Sequence, residues 1–168
     1  MKLKQNEISA IKDLLASAEN RSNQTLEELH RKLSSDDLVE LYIDGAADLH
    51  SKTSGIGGVF FQNGNEIDSF SEFLGDATNN EAEYNSLIRG LQVAKKINIS
   101  NICIYADSLI VVNQVNGEFK VKPENMIPLH ALATDLLDDF DSWTLKHILR
   151  DKNTVADKLS KAGMMSGR

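Results

Sequence analysis

The stretch Gly57–Phe73, GGVFFQNGNEIDSFSEF, decides the fold. Two extended runs flank Asn63-Gly64, a pair of residues that accepts positive φ at both positions, so the stretch reads as a tight antiparallel hairpin. Immediately upstream, VELYIDG (39–45) is a short strand that ends at an aspartate and a glycine. Downstream, the period changes from two to that of a helix. TNNEAEY (78–84) opens a helix expected over residues 79–96, with Leu87, Leu91 and Ala94 on one stripe. Thr78 and Glu81 have the spacing of a capping box. NICIYAD (101–107) is a fourth strand, and SLIVVNQV (108–115) a short helix. PENMIPLHALATDLLDDF (123–140) is another helix, with Pro128 near its start or kinking it. SWTLKHILR (142–150) is a fifth strand, and NTVADKLSKAG (153–163) a closing helix stopped by Gly163. The order βββαβααβα gives an α/β fold: a five-stranded mixed sheet flanked by helices.

The first 38 residues read differently. Ile8, Ile11, Leu14 and Leu15, then Leu26, Leu29 and Leu33, recur at helical spacing around a turn-like NRSN. This predicts a helical hairpin over residues 1–38 ahead of a core domain over 39–168. Its leucine stripes must bury against the core, a protein partner or a second copy of the chain. At 168 residues the chain has room for one well-buried domain and a small appendage. No apolar run is long enough for a membrane helix, and MKLKQNEISA lacks the apolar stretch of a secretory signal. Cys103 is the single cysteine, which excludes an intramolecular disulfide and fits a reducing cytoplasm. Its apolar neighbours make it a core residue. The net charge of −7 argues against tight, nonspecific clamping of nucleic acid, which draws its affinity from displaced counterions.

Acids recur at the ends of elements. Asp44 ends the first strand and Asp107 the fourth, while Glu83 and Asp157 lie in the first turns of helices. Glu81 and Glu83 are two positions apart and point in different directions on a helix. Taken singly, each acid has a local explanation, since such residues terminate strands or complement a helix dipole. Ligands gather beyond strand ends in sheets flanked by helices, and converging carboxylates repel unless cations lie between them. Oxygen donors of this kind suit hard divalent ions, Mg²⁺ first and Mn²⁺ second.

Together YIDGA, TNNEAEY, YADS and NTVADKLSKAG resemble ribonuclease H of type I. NGEFKVK and HILRDKNTVADKLS are similar to its reverse-transcriptase-like branch in particular. The resemblance covers residues 39 to 164 and implies a metal-dependent endonuclease. Such an enzyme cuts the RNA strand of an RNA–DNA hybrid and leaves 5′-phosphate and 3′-hydroxyl ends. By position it implies Asp44, Glu83, Asp107 and Asp157 as catalytic, metal-binding acids for two Mg²⁺ ions, with Mn²⁺ as a substitute. In that arrangement Asp44 bridges both ions, Glu83 and Asp107 complete one, and Asp157 supports the other. Asn79 and Asn80 match asparagines that contact nucleic acid in the minor groove. Arg150 and Asn153, before the last helix, are further candidates for substrate contact, with a surface charge and a helix cap as their alternatives.

The chain departs from some relatives in three places. ADLHSKTSGIGG follows the first aspartate, putting His50 in an exposed loop. A basic, tryptophan-rich protrusion is absent, and Trp143 is expected in the core. LRDKN replaces a loop histidine, while His147 is expected to be packed between Leu145 and Leu149. The glycines of SGIGG do not lead into a helix and are expected to allow a turn and close strand packing. Two other functions stay open: a non-catalytic adaptor that keeps the fold for binding, and a related nuclease acting on other nucleic acids.

Overall fold

The computed structural model describes residue 11 and residues 38–167, so the helical hairpin expected ahead of Val39 lies outside the described residues. Strands β1 (Leu38–Asp48), β2 (Thr53–Gln62) and β3 (Asn65–Gly75) form an antiparallel meander. Asn63 and Gly64 join β2 to β3 with φ of 53° and 77°, the doubly left-handed turn expected for that pair. Helix α1 (Asn79–Lys96) leads to β4 (Asn101–Ala106), and α2 (Leu109–Val115) and α3 (Met126–Leu137) lead to β5 (Ser142–His147). A single 3₁₀ turn, Arg150–Lys152, precedes α4 (Thr154–Ser166). The sheet order is β3-β2-β1-β4-β5, with β4 and β5 parallel. The mixed five-stranded sheet is the one expected, and Pro128 sits in the first turn of α3, where its missing N–H costs nothing.

The strand period sorts β1 cleanly. Val39, Leu41 and Ile43 are buried and pack with Leu87 and Leu91 of α1 in one core. Cys103 and Ala94 are buried as well, while Trp143 is partly buried and packs against that core.

Helix α4 rests on the sheet through small residues rather than interdigitating large ones. A Cβ on Gly57 would stand 2.3 Å from the Ser160 backbone nitrogen, and one on Gly55 would stand 2.1 Å from that of Met164. Gly55 and Gly57 therefore serve the approach of a helix to the sheet, more than a turn, while Gly58 makes room for the Phe70 ring of β3, the close strand packing expected. Gly163 does not stop the helix, which runs on to Ser166. It is buried against β3, where a Cβ would meet the Glu72 carbonyl oxygen at 2.5 Å. The Ser71 hydroxyl donates to the Leu159 carbonyl at 2.7 Å and fastens the same contact.

His147 corrects a further expectation. It is exposed, as is Leu149 at 61%, while Leu145 alone of the three is buried. β5 is an edge strand and ends at His147, so His147 and Leu149 lie beyond the packing that covers Leu145. His50 lies exposed in the turn after β1, as expected.

Candidate metal centre

TNNEAEY divides its labour along α1. The Thr78 hydroxyl accepts from the Glu81 backbone N–H at 3.3 Å, and Glu81 Oε2 accepts from the Thr78 N–H at 2.8 Å. Glu81 Oε1 also accepts from the Asn125 amide at 2.9 Å. The bonds from Thr78 and Asn125 hold the Glu81 carboxyl below its ordinary range. Glu81 is a helix cap. Asn79 Oδ1 accepts from the Ala47 N–H at 3.2 Å, tying the start of α1 to the end of β1, and Asn80 is exposed beside it.

Glu83 turns inward instead and is 7% exposed. Gly45 makes this possible: a Cβ there would lie 2.3 Å from the Ala82 carbonyl carbon and 2.4 Å from the Glu83 nitrogen. Only a bare backbone lets α1 approach β1 so closely, one residue from Asp44. Gly45→Ala is therefore expected to push the start of α1 off β1. It should cost about 1–3 kcal/mol in denaturant unfolding and weaken divalent-ion binding measured on the same protein. An unchanged midpoint and affinity would contradict this reading.

Asp44, from β1, Glu83, from α1, and Asp107, just after β4, converge. One carboxylate oxygen from each lies within 4.8 Å of the others. Burial is the main reason that Glu83 is pushed up to about 9, and the charges of Asp44 and Asp107 add to it, outweighing a hydrogen bond from the Gly45 backbone. Burial likewise leads in pushing Asp44 up to about 6, with Asp107 and Asp157 adding and Ser160 and Arg150 opposing. Asp44 Oδ1 and Glu83 Oε2 are buried with no hydrogen-bond partner. Buried carboxylate oxygens without donors are costly, and a hard cation with oxygen ligands satisfies them and the mutual repulsion together. The donor set fits a divalent metal ion.

Asp157 stands apart from this trio. Its Oδ1 accepts from Arg150 Nη2 at 3.0 Å and its Oδ2 from Lys161 Nζ at 2.6 Å, an i,i+4 pair within α4. Burial alone would raise the Asp157 carboxyl, but the bonds from Lys161 and Arg150 hold it below its ordinary range. Arg150, largely exposed, also lies 3.9 Å from Asp107, so its guanidinium spans the gap between the trio and the fourth acid. Asn153 is 1% exposed, and its amide donates to the Ile43 carbonyl at 2.8 Å, while its backbone carbonyl accepts from the Asp157 N–H at 3.0 Å. It locks the start of α4 to β1 directly beside Asp44.

Sequence reasoning missed Gly45 and Ser160. The Ser160 hydroxyl donates to Asp44 Oδ2 across 116 positions of chain. No local pattern marks either residue, since each acts on a segment remote in sequence.

A sheet of order 3-2-1-4-5 with this carboxylate trio at the meeting of β1, β4 and α1 defines a ribonuclease H-like nuclease fold. Residues 42–163 match the model of the reverse transcriptase-like family, and the chain belongs to that family. It is 30% identical over 127 residues to ribonuclease HI of Halobacterium salinarum, covering 75% of this chain and 64% of that relative. The chain thus spans just under two thirds of that relative, and 25% of the bifunctional protein Rv2228c of Mycobacterium tuberculosis, to which it is 37% identical over 91 residues. The N-terminal RNase H domain of Rv2228c superposes with a TM-score of 0.73 at 30% identity, covering 77% of this chain and 94% of that one. LC11-RNase H1, solved in complex with an RNA/DNA hybrid, gives 0.71 at 28% identity over 77% of this chain and 98% of that one. Among the described residues no helix is long and apolar enough to cross a membrane.

Proposed function

We propose that the chain is a divalent-metal-dependent endoribonuclease that hydrolyses the RNA strand of RNA–DNA hybrids. One observation carries this reading: oxygens of Asp44, Glu83 and Asp107 lie within 4.8 Å of one another, and two buried oxygens of that group lack any partner. Asp44, Glu83 and Asp107 would hold one ion, and Asp44 with Asp157 a second. When bound, a Mg²⁺ pair, or Mn²⁺ in its place, supplies the charge that activates a water and stabilises the leaving oxygen.

The chain's own residues do the rest. Asp44 and Glu83, buried on β1 and α1, fix the donor oxygens with little freedom to rearrange. Arg150, whose side chain is 67% exposed, would exchange its contacts with Asp107 and Asp157 for a substrate phosphate. Asn79 and Asn80 are exposed at the start of α1, and there they would meet 2′-hydroxyls in the shallow minor groove, the feature that separates RNA from DNA. Asn153 supports the site from behind through Ile43. Attack of water on phosphorus, with the bond to the 3′ oxygen breaking and that oxygen taking a proton, would leave 5′-phosphate and 3′-hydroxyl ends.

Labelled RNA–DNA hybrid, double-stranded RNA and single-stranded DNA, each incubated with Mg²⁺ or Mn²⁺, test this directly. The expected result is cleavage of the RNA strand of the hybrid alone. Cleavage of another substrate would make the chain a nuclease of different specificity. A second reading, a non-catalytic adaptor, draws on the net charge of −7, and metal-independent binding with no cleavage of any substrate would favour it.

A further inference from the structure

We infer that Ser160 is a positioning residue for the metal centre: its buried hydroxyl holds Asp44 Oδ2 and leaves Oδ1 as the oxygen offered to a cation. The inference rests on the proposed cation-binding role of Asp44. Ser160 is fully buried, in the middle of α4. Its backbone is fixed from below, because α4 meets β2 at Gly57 with no side chain between them. The hydroxyl has one proton and two acceptors in reach, Asp44 Oδ2 and the Asp157 carbonyl at 2.9 Å. A carboxylate is the stronger acceptor, so the proton goes to Asp44.

The consequence is geometric. A carboxylate with no donor can rotate and offer either oxygen, whereas one oxygen pinned by a fixed hydroxyl leaves the other in a single orientation. Asp44 Oδ1 is that other oxygen, buried and without a partner. Ser160 also joins the two acids expected to share the second ion, since it touches both Asp44 and the backbone of Asp157. Residues that orient a metal ligand in this way are typically worth about 10–100-fold in metal affinity.

The test is calorimetric titration of Mn²⁺ into the full chain, without nucleic acid, for the unsubstituted protein, Ser160→Ala and Ser86→Ala. Ser86 is an equally buried hydroxyl that donates to the Gly57 carbonyl at 2.8 Å rather than to a carboxylate. It controls for the loss of any buried hydrogen bond. Ser160→Ala is expected to bind Mn²⁺ about tenfold or more weakly, and Ser86→Ala within twofold of the unsubstituted chain. Ser160→Cys, which keeps a weaker donor, falls between the two and provides a second reading should the alanine variant melt too low to titrate. Equal affinity in Ser160→Ala and the unsubstituted chain would overturn the inference, as would an equal loss in Ser86→Ala. Absence of Mn²⁺ binding to the unsubstituted chain would instead overturn the cation reading of the acid trio itself.

Discussion

Asp107→Asn is expected to leave a folded protein in which the proposed hydrolysis of RNA–DNA hybrid is slower by on the order of a thousandfold, ~4 kcal/mol of lost transition-state stabilisation. Asparagine matches aspartate in shape but carries no charge, and its amide offers one oxygen where the carboxylate offers two. The position of Asp107 makes the loss severe. It is one of three acids whose oxygens lie within 4.8 Å, and its side chain is only 9% exposed, so water cannot replace it as a screened ligand. The same change relieves repulsion, because the Asp107 charge helps to raise both Asp44 and Glu83. In EDTA, Asp107→Asn should therefore melt at the same temperature as the unsubstituted chain or above it. With saturating Mg²⁺ it should gain far less than the unsubstituted chain does. Turnover at the unsubstituted rate would remove Asp107 from the site.

The second large effect is on the metal-free protein as a function of pH. Glu83 is pushed up to about 9 in the fold, from an ordinary value of 4.5, and Asp44 to about 6 from 3.8. Both folded values are raised, so folding takes up protons above the ordinary carboxylate range. The stability associated with these groups is fully present below about pH 4 and is lost as pH rises, through 6 for Asp44 and through 9 for Glu83. At about 1.4 kcal/mol per proton per pH unit, a few kcal/mol are at stake between pH 6 and pH 9. That corresponds to a melting temperature lower by about 10 °C at the higher pH. Asp157 acts in the opposite sense, because Lys161 and Arg150 hold it low and its contribution fades only in acid. Saturating Mg²⁺ should abolish the alkaline loss, since a cation favours the ionised carboxylates that burial disfavours. Glu83→Gln should flatten the slope in EDTA, and thermal melts of both proteins at pH 6, 7.5 and 9 check this. Parallel slopes would show that Glu83 is not the group responsible.

The parts of the fold that were legible in the sequence are those set by neighbours along the chain. The Asn63-Gly64 turn, the Thr78–Glu81 capping box and the alternation of Val39, Leu41 and Ile43 are each dictated within a few residues. The capping box had a further use, since it assigned Glu81 to the helix end and left Glu83 for the interior. The parts that were not legible depend on what lies opposite in space. Gly163 has the form of a helix stop, yet its missing side chain serves a contact with β3 from within α4. Gly55 and Gly57 have a matching purpose on the face of β2 that meets the same helix. His147 looked packed because of its apolar neighbours, but the sheet edge falls there. Ser160 and Gly45 carry no signal of their own, because the groups they accommodate come from other elements. The four acids are visible as a set, and the family resemblance already implies Asp44, Glu83 and Asp107 around one ion with Asp157 apart. The cations that hold Asp157, Arg150 from the preceding turn and Lys161 from α4, are what only the structure specifies.

The most direct test of the metal centre is anomalous diffraction from crystals soaked in Mn²⁺. The expected result is a peak enclosed by the carboxylates of Asp44, Glu83 and Asp107, with Asp44 Oδ1 among the coordinating atoms. Crystals saturated with Mn²⁺ that show no peak there, or only peaks on exposed acids elsewhere, would contradict it.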